Sequence, residues 1–176
     1  MGKLKAMTCL YEFVMKYGMP KWVLVGGYAG SLDGESLKIG RIIEGDRFIE
    51  GDFDCGGLED DGHHLISRNV ERILEEEDQA TFICQDRFLK ENQYGVDSLG
   101  CATDMESHAV ARFCEIKGIP FNVLKVVSDV VGENNEEGFE KKAYELSQKM
   151  NEVITIGLLE ISRRLEKKKG SDNVGN

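Results

Sequence analysis

Three apolar runs of strand length alternate with segments of helical spacing, and this alternation restricts the fold more than any other feature of the sequence. The runs cover residues 22–25, 80–84 and 121–127. Strands that are mostly apolar along their whole length are typical of sheets whose two faces are both covered by helices. The sequence therefore predicts an α/β fold.

Helices, strands and turns of other composition separate the three runs. Apolar residues between positions 4 and 15 recur at helical spacing, and Gly18-Met19-Pro20 ends that helix. Residues 26–31 and 52–64 are rich in glycine or polar residues, so we predict loops there. The remaining predictions are helices over about 67–76, from near Met105 to Gly118 and over 137–165, and strands over 37–42 and 48–53 joined by a Gly45-Asp46 turn.

The size and charge of the chain limit its function. With 176 residues, 41% of them hydrophobic, the chain can bury one substantial core. We predict one domain over residues 1–166 and a disordered polar tail over residues 167–176. The net charge of -10 argues against a nucleic-acid surface and against binding to an anionic membrane. A small, weakly charged or cationic partner fits this charge better.

The cysteines and histidines do not indicate a metal site. The five cysteines lie far apart without a C-x-x-C pair, which favours reduced thiols in a cytoplasmic protein. The histidines share no metal-ligand spacing, and Asp52 and Asp54 beside Cys55 are better explained as a solvated turn than as a hard-metal site. The sequence shows no signal peptide, no myristoylation signal and no apolar run of roughly 18 residues. We expect neither a metal nor a membrane anchor.

Two carboxylates stand at the edges of predicted core elements. Glu106 precedes apolar residues of its predicted helix by three, four, seven and eight positions, so on that helix it would lie on their face. Asp129 closely follows the apolar run 121–127, and ligands of open α/β sheets bind beyond the carboxyl ends of strands. The two side chains can therefore converge on one crevice. Helix capping by both residues explains them equally well, and the residues alone leave both interpretations open.

Two further features carry weaker signals. Glycines in the stretch 26–31 would let backbone N–H groups approach a phosphate or a sugar, but a plain tight turn is the better interpretation of that stretch alone. Lys125 interrupts an otherwise apolar strand. It can reach the same crevice as the two carboxylates, or it can extend its ammonium to solvent at a sheet edge.

Four motifs in order resemble the superfamily of purine nucleoside phosphorylases and methylthioadenosine/S-adenosylhomocysteine nucleosidases. The family's M-E-x-x-A-x-A helix pattern is similar to Asp104-Met105-Glu106-Ser107-His108-Ala109-Val110-Ala111, and its P-F and S-D patterns are similar to Gly118-Ile119-Pro120-Phe121 and Val127-Ser128-Asp129. Its G-x-A-G-x-L loop is similar to Gly27-Tyr28-Ala29-Gly30-Ser31-Leu32, and its S-G-D-x-F pattern is similar to Cys84-Gln85-Asp86-Arg87-Phe88. This resemblance implies a three-layer α/β/α fold with a central mixed sheet, lacking the family's usual first strands.

The resemblance assigns a purine nucleoside as ligand and implies no cofactor. The base would stack on Phe88 and contact the backbone of Leu89, while Asp129, oriented by Ser128, exchanges protons with the purine ring. Met105 would pack under the ribose, and Glu106 would accept hydrogen bonds from its hydroxyls. The further substrate-binding residues that the resemblance implies are Tyr28, Ala29, Gly30, Asp104 and Lys125, and Phe139 would close over the pocket.

The resemblance also favours hydrolysis over phosphorolysis. Related phosphorylases hold phosphate with arginines and a small hydroxyl residue of the glycine-rich loop, whereas Tyr28 stands at that position here and no arginine precedes it. Asp129, in place of Asn, is the form associated with 6-aminopurines. An adenine nucleoside such as methylthioadenosine or S-adenosylhomocysteine is therefore the expected substrate, with a phosphate-dependent phosphorylase as the alternative.

The sequence departs from the family pattern at three points. The family's first strands and a glutamate that activates water have no counterpart, Lys125 stands where arginine is usual, and Gln85 replaces a glycine. Three explanations remain open: a fragment, a site completed by a partner, or a nucleoside-binding protein without turnover. Because members of this family often borrow pocket residues from a neighbouring subunit, we expect a homodimer or higher homo-oligomer.

Overall fold

A computed structural model describes residues 2–52, 65–94, 99–133 and 136–172, and within the last range it describes the side chains of residues 142 and 144–169. The elements in chain order are α1 (Lys3–Tyr17), β1 (Val23–Ser31), β2 (Ile42–Glu50), β3 (Ile66–Ser67), a single 3-10 turn (Glu76–Asp78), β4 (Gln79–Cys84), β5 (Cys101–Asp104), α2 (Ser107–Lys117), β6 (Phe121–Val130) and α3 (Glu136–Asp172). The three apolar runs of the sequence lie in β1, β4 and β6, as predicted.

The strands form one mixed sheet in the order β3-β2-β4-β5-β1-β6. The pairs β1–β6, β2–β4 and β4–β5 are parallel, whereas β1–β5, β2–β3 and β2–β6 are antiparallel. Because β2 pairs with β4 and also with β6, the strands β2, β4, β5, β1 and β6 close into a ring. Closure gives the backbone groups of these strands partners that an open sheet edge would lack.

Helices cover both faces of the sheet, as the apolar strands predict. Phe121 and Val123 of β6 join the cluster that contains residues of α2 and, at its edge, of α1. Leu124 and Val126 point the opposite way and pack with Leu146 of α3. This alternation along one strand separates a layer of α1 and α2 from a layer of α3.

The glycine-rich stretch 26–31 is strand rather than loop. The stretch belongs to β1, which pairs with β6 from Val23 to Ser31 with one irregularity in the register between Ala29 and Gly30. The loop prediction was wrong because glycines normally mark turns, whereas here they make room for large side chains of the neighbouring strand.

In place of the two strands predicted over 37–42 and 48–53, and with residues 37–41 outside any described strand, the structure has one strand, β2. It continues through Gly45 and Asp46, and the register with β4 shifts between Gly45 and Arg47. A Cβ atom at Gly45 would lie 2.5 Å from the ring of Phe48, so this glycine admits a buried aromatic ring. The pair that resembled a turn is therefore a bulge within a strand.

The helix predicted over residues 67–76 is absent from the described residues there. Instead, the backbone N–H groups of Ile73 and Leu74 donate to the carboxylate of Glu44 at 2.7 and 2.8 Å. Glu44 is fully buried and also accepts from the amide of Asn122 at 2.7 Å. These bonds replace the backbone acceptors that a helix would supply, so the segment folds around a buried acid.

The last two helices start close to the predicted positions. α3 continues through Asp172, and so into the segment 167–176 that we predicted as a disordered tail; residues 173–176 lie outside the described residues. Of the loop predicted over 52–64, residues 53–64 also lie outside them. None of the helices in the described ranges combines the length and apolar character needed to cross a bilayer.

Candidate active site

A cavity of about 440 Å³ lies where β1, β5 and β6 meet the first turn of α2. Glu106 and Asp129 both line it, so the two carboxylates that the sequence singled out share one space. The side chains and backbone that surround it belong to Ala6, Val25, Gly26, Gly27, Tyr28, Ala29, Gly30, Arg87, Phe88, Leu89, Thr103, Asp104, Met105, Glu106, Val110, Lys125, Ser128, Asp129 and Val131.

A bulge at the end of β6 directs Asp129 into this cavity. In the ladder with β1, Ala29 pairs with Val127 and Gly30 pairs with Asp129, so Ser128 is the extra residue. Because of this irregularity, the consecutive residues Ser128 and Asp129 both line the cavity instead of alternating between faces. A Cβ atom on Gly30 would lie 3.2 Å from Asp129 Oδ2, so the glycine leaves room for the carboxylate.

Ser128 is the neighbour that contacts Asp129 directly. Its Oγ lies 2.5 Å from Asp129 Oδ1 and 3.3 Å from the carbonyl oxygen of Ala29. The hydroxyl is thus within hydrogen-bonding distance of the carboxylate.

Glu106 occupies the N-cap position of α2 instead of the helical face that its spacing indicated. Its φ and ψ of -137° and -34° are not helical, and its carbonyl oxygen accepts the N–H of Val110 at 3.3 Å. Its Oε1 accepts the backbone N–H of Gly2 at 2.9 Å, and its Oε2 lies 3.6 Å from Lys125 Nζ. With the side chain 19% exposed, each carboxylate oxygen has a fixed neighbour and the group still borders the cavity.

Lys125 and Asp104 form a buried ion pair beneath the cavity. Lys125 Nζ lies 2.9 Å from Asp104 Oδ2, and the two side chains are 2% and 1% exposed. Burial alone would lower the pKa of Lys125, but the carboxylates of Asp104 and Glu106 outweigh it and hold the pKa above the ordinary value. Lys125 is therefore a fixed positive charge between two acids, and the sheet-edge interpretation was wrong.

Asp104 also organises the start of α2. Both of its carboxylate oxygens lie within 3.3 Å of the backbone N of Ser107, and the hydroxyl of Ser107 donates to Oδ2. A carboxylate in this place satisfies a free helical N–H and interacts favourably with the helix dipole. The capping task that the sequence left open for Glu106 is thus carried by the side chain of Asp104.

Aromatic and apolar groups form the remaining wall. Phe88 is 72% exposed and Tyr28 is 39% exposed, whereas Leu89 is buried at 6% exposure. Met105 contributes to the wall between Asp104 and Glu106. Large apolar surface left open to solvent at a cavity is typical of a binding site for a flat, partly apolar ligand.

The structure brings together all but one of the site residues named from the sequence. The exception is Phe139, which lies in the first turns of α3 and whose side chain is outside the described residues. The roles assigned to these residues remain predictions.

Sequence reasoning missed several neighbours of the cavity. Arg87 and Thr103 line it, although each stands directly beside a named residue. Arg87 is exposed and donates to the neutral amides of Gln85 at 3.4 Å and Gln93 at 2.9 Å. Lys3 does not line the cavity but forms ion pairs with Glu50 and Asp52 nearby; it was missed because these partners are far away in the sequence.

Comparison with known proteins identifies the family. The family model described as the phosphorylase superfamily matches residues 1–159. The chain belongs to the phosphorylase superfamily. It is 26% identical over 167 residues to a 5'-methylthioadenosine/S-adenosylhomocysteine nucleosidase of Thermotoga maritima, covering 90% of this chain and 75% of that relative.

Solved structures of two hydrolytic enzymes share the fold. A futalosine hydrolase of Helicobacter pylori superposes with a TM-score of 0.75 at 20% identity, over 90% of this chain and 76% of that one. A mutant of the H. pylori 5'-methylthioadenosine/S-adenosylhomocysteine nucleosidase, solved with 5'-methylthioadenosine in its active site, gives 0.74 at 20% identity, over 92% and 77% of the two chains. The predicted α/β fold with a mixed, nucleoside phosphorylase-like sheet is therefore confirmed.

Proposed function

We propose that this protein hydrolyses the N-glycosidic bond of an adenine nucleoside, such as methylthioadenosine or S-adenosylhomocysteine, to free adenine and the sugar. The observation that carries the proposal is that Glu106 and Asp129, supplied by different elements, line one cavity of about 440 Å³. That volume lies in the range of small-molecule sites. The relatives named as nucleosidases support the same activity.

Asp129 would act on the base. As the bond between C1' and N9 breaks, its electron pair moves onto the purine, and a proton passed from the protonated Asp129 carboxyl to N7 lets the base leave as a neutral molecule. Water then forms the new bond to C1', and the proton that it loses returns to the Asp129 carboxylate. The contact from Ser128 Oγ at 2.5 Å supports this role because it holds the carboxyl group in one orientation. Phe88 would stack on the purine, and Leu89 would contact it through its backbone.

Glu106 would act on the sugar. Positive charge develops on the ribose as the bond lengthens, and a carboxylate already fixed in place stabilises that charge without having to reorganise. The N–H of Gly2 and the ammonium of Lys125 each approach one oxygen of Glu106. Each oxygen retains acceptor capacity, so the carboxylate can also receive ribose hydroxyls.

The charges around the cavity favour water over phosphate as the nucleophile. Three carboxylates line it, Asp104, Glu106 and Asp129, against the two cations Lys125 and Arg87. Lys125 is engaged by two of the acids. Because Asp129 carries a proton as the general acid, the other four charges balance, and Arg87 is the one cation of the described lining residues that no carboxylate engages. A phosphate dianion would therefore find little positive charge to hold it, whereas water needs none.

We also propose that the protein acts as a homo-oligomer. Leu4, Tyr11 and Met15 lie on one stripe of α1 and are 82%, 60% and 68% exposed. A stripe of this kind, spaced by seven and four residues, is typical of a helix face that packs against a partner. A second copy on this face would stand near the cavity, because Leu4 and Met105 border the same surface hollow and Met105 also lines the cavity.

A product assay tests the proposed activity. Purified protein is incubated with methylthioadenosine, S-adenosylhomocysteine or inosine, with and without phosphate, and the free base is separated and quantified. We expect adenine from the first two substrates without phosphate. Base released only with phosphate would identify a phosphorylase, and ligand-induced thermal stabilisation without product would identify a binding protein.

A further inference from the structure

The ammonium of Lys3 lies among three carboxylates from two segments of the chain, one at the end of β2 and one after β4. Lys3 Nζ is 3.0 Å from Glu50 Oε1, 2.5 Å from Asp52 Oδ1 and 3.7 Å from Asp86 Oδ2. The Lys3 side chain is 13% exposed. Burial would lower the pKa of Lys3, but hydrogen bonds to Asp52 and Glu50 raise it above its ordinary value, so the group stays charged.

Backbone hydrogen bonds connect this cluster to Glu106, the proposed sugar contact. The N–H of Lys3 donates to Asp86 Oδ1 at 3.0 Å, and the preceding N–H, that of Gly2, donates to Glu106 Oε1 at 2.9 Å. The first turn of α1 is thus held by two carboxylates, one of which is the proposed sugar contact. The position of Lys3 therefore determines where the Gly2 donor meets Glu106.

A further hydrogen bond connects the cluster to the segment that carries Phe88, the residue proposed to stack on the base. The N–H of Asp86 donates to Asp52 Oδ2 at 2.7 Å. Asp86 begins the segment that carries Phe88 and Leu89 into the cavity. The same ammonium that fixes the start of α1 therefore also neutralises the acids that fix this segment.

We propose that Lys3 is a positioning residue that sets the two walls of the nucleoside site, acting through Gly2 and Glu106 on one side and through Asp52 and Asp86 on the other. The inference rests on the proposed function. Without the ammonium, three carboxylates would face one another and repel. The start of α1 and the Phe88 segment would then separate, and the site would lose its geometry while the core of the sheet stayed packed.

Three variants separate positioning from general support of the fold. Lys3→Met removes the charge, Lys3→Arg retains it, and Lys16→Met removes a charge from an exposed position of the same helix. Each variant is compared with the full wild-type chain by thermal unfolding, by kcat and KM for methylthioadenosine, and by calorimetric affinity for an adenine C-nucleoside. In that probe a carbon–carbon bond replaces the scissile bond, so affinity is measured without turnover.

We expect folded Lys3→Met to lose about 10- to 100-fold in kcat/KM, because small displacements of reacting groups have effects of that size. Its affinity for the C-nucleoside should fall in parallel, Lys3→Arg should recover most of both losses, and Lys16→Met should match the wild type. Wild-type affinity in folded Lys3→Met, or no recovery in Lys3→Arg, would overturn the inference. If the wild type binds the C-nucleoside but releases no adenine from methylthioadenosine, the proposed hydrolysis is wrong, and the affinities of the three variants still test the role of Lys3. If the wild type does not bind the C-nucleoside, both proposals fail.

Discussion

At the scale of single residues, a glycine on one strand makes room for a buried charge on the next. Gly27 pairs with Lys125 in the β1–β6 register. A Cβ atom at Gly27 would lie 2.8 Å from Lys125 Nζ and 3.4 Å from its Cδ. The glycine thus allows the lysine to reach Asp104 and Glu106.

Adding a methyl group at this glycine should therefore be costly. We expect Gly27→Ala to lower the free energy of unfolding by about 1–3 kcal/mol, as is typical of overpacking, because the new methyl group meets the buried side chain of Lys125. The measurement is urea denaturation. Gly26→Ala is the matched control, because its Cβ would meet Ile154 at an ordinary 3.5 Å. Equal stability of the two variants would contradict this account of Lys125.

The two proposed catalytic carboxylates should have separable effects. We expect Asp129→Asn to lower kcat by roughly 10²–10⁴, the usual contribution of general acid catalysis. Glu106→Gln removes the charge beside the sugar and should cost roughly 10²–10³ in kcat. Both variants should remain folded by circular dichroism. A folded variant with wild-type kcat would remove that residue from the mechanism.

At the scale of elements, the local sequence predicted the strands and helices whose structure follows from their apolar pattern. It failed for segments whose structure depends on a side chain from a distant part of the sequence. The runs in β4 and β6 are apolar throughout, and their burial follows from that. The glycines of β1 and Gly45 of β2 were wrongly assigned to turns because their contacts include Lys125, Asp129 and Phe82, which come from other parts of the sequence. No local pattern reports such contacts.

The segment before β4 shows the same limit and can be tested. Glu44→Ala leaves the N–H groups of Ile73 and Leu74 and the amide of Asn122 without this acceptor. Since each buried unsatisfied donor costs about 1–3 kcal/mol, we expect a loss of at least about 3 kcal/mol in the free energy of unfolding. Glu152→Ala, at an exposed position of α3, should change it by less than about 0.5 kcal/mol. A small effect at Glu44 would mean that the segment is held in another way.

At the scale of the whole molecule, motif order located the site but could not supply its geometry. The resemblance named residues from four separated motifs, and the fold places all the described ones around one cavity. The bulge at Ser128, the N-cap position of Glu106 and the Lys3 cluster arise from pairing between distant segments. They could not be predicted from spacing.

Thiol reactivity tests the closed core. Cys84, Cys101 and Cys114 are buried and Cys9 is exposed, and burial raises the pKa of Cys114 to about 12. In a Cys55→Ser background, we expect Cys9 to react rapidly with an aromatic disulfide reagent at neutral pH and the other three to react only after denaturation. Rapid reaction of Cys84 or Cys114 in the native protein would contradict the packing of β4 against α2.

The molecular mass in solution tests the proposed oligomer. Light scattering during size exclusion should give at least twice the monomer mass, and Tyr11→Lys with Met15→Lys should reduce it by placing charges on the α1 stripe. A wild-type protein that elutes as a monomer would contradict this proposal.

The most direct test of the central claim is a crystal structure with the adenine C-nucleoside bound. We expect the sugar hydroxyls within hydrogen-bonding distance of Glu106 and the N7 position of the base within that distance of Asp129, in one molecule of ligand. A ligand that occupies the cavity without touching both carboxylates, or that binds elsewhere, would contradict the account.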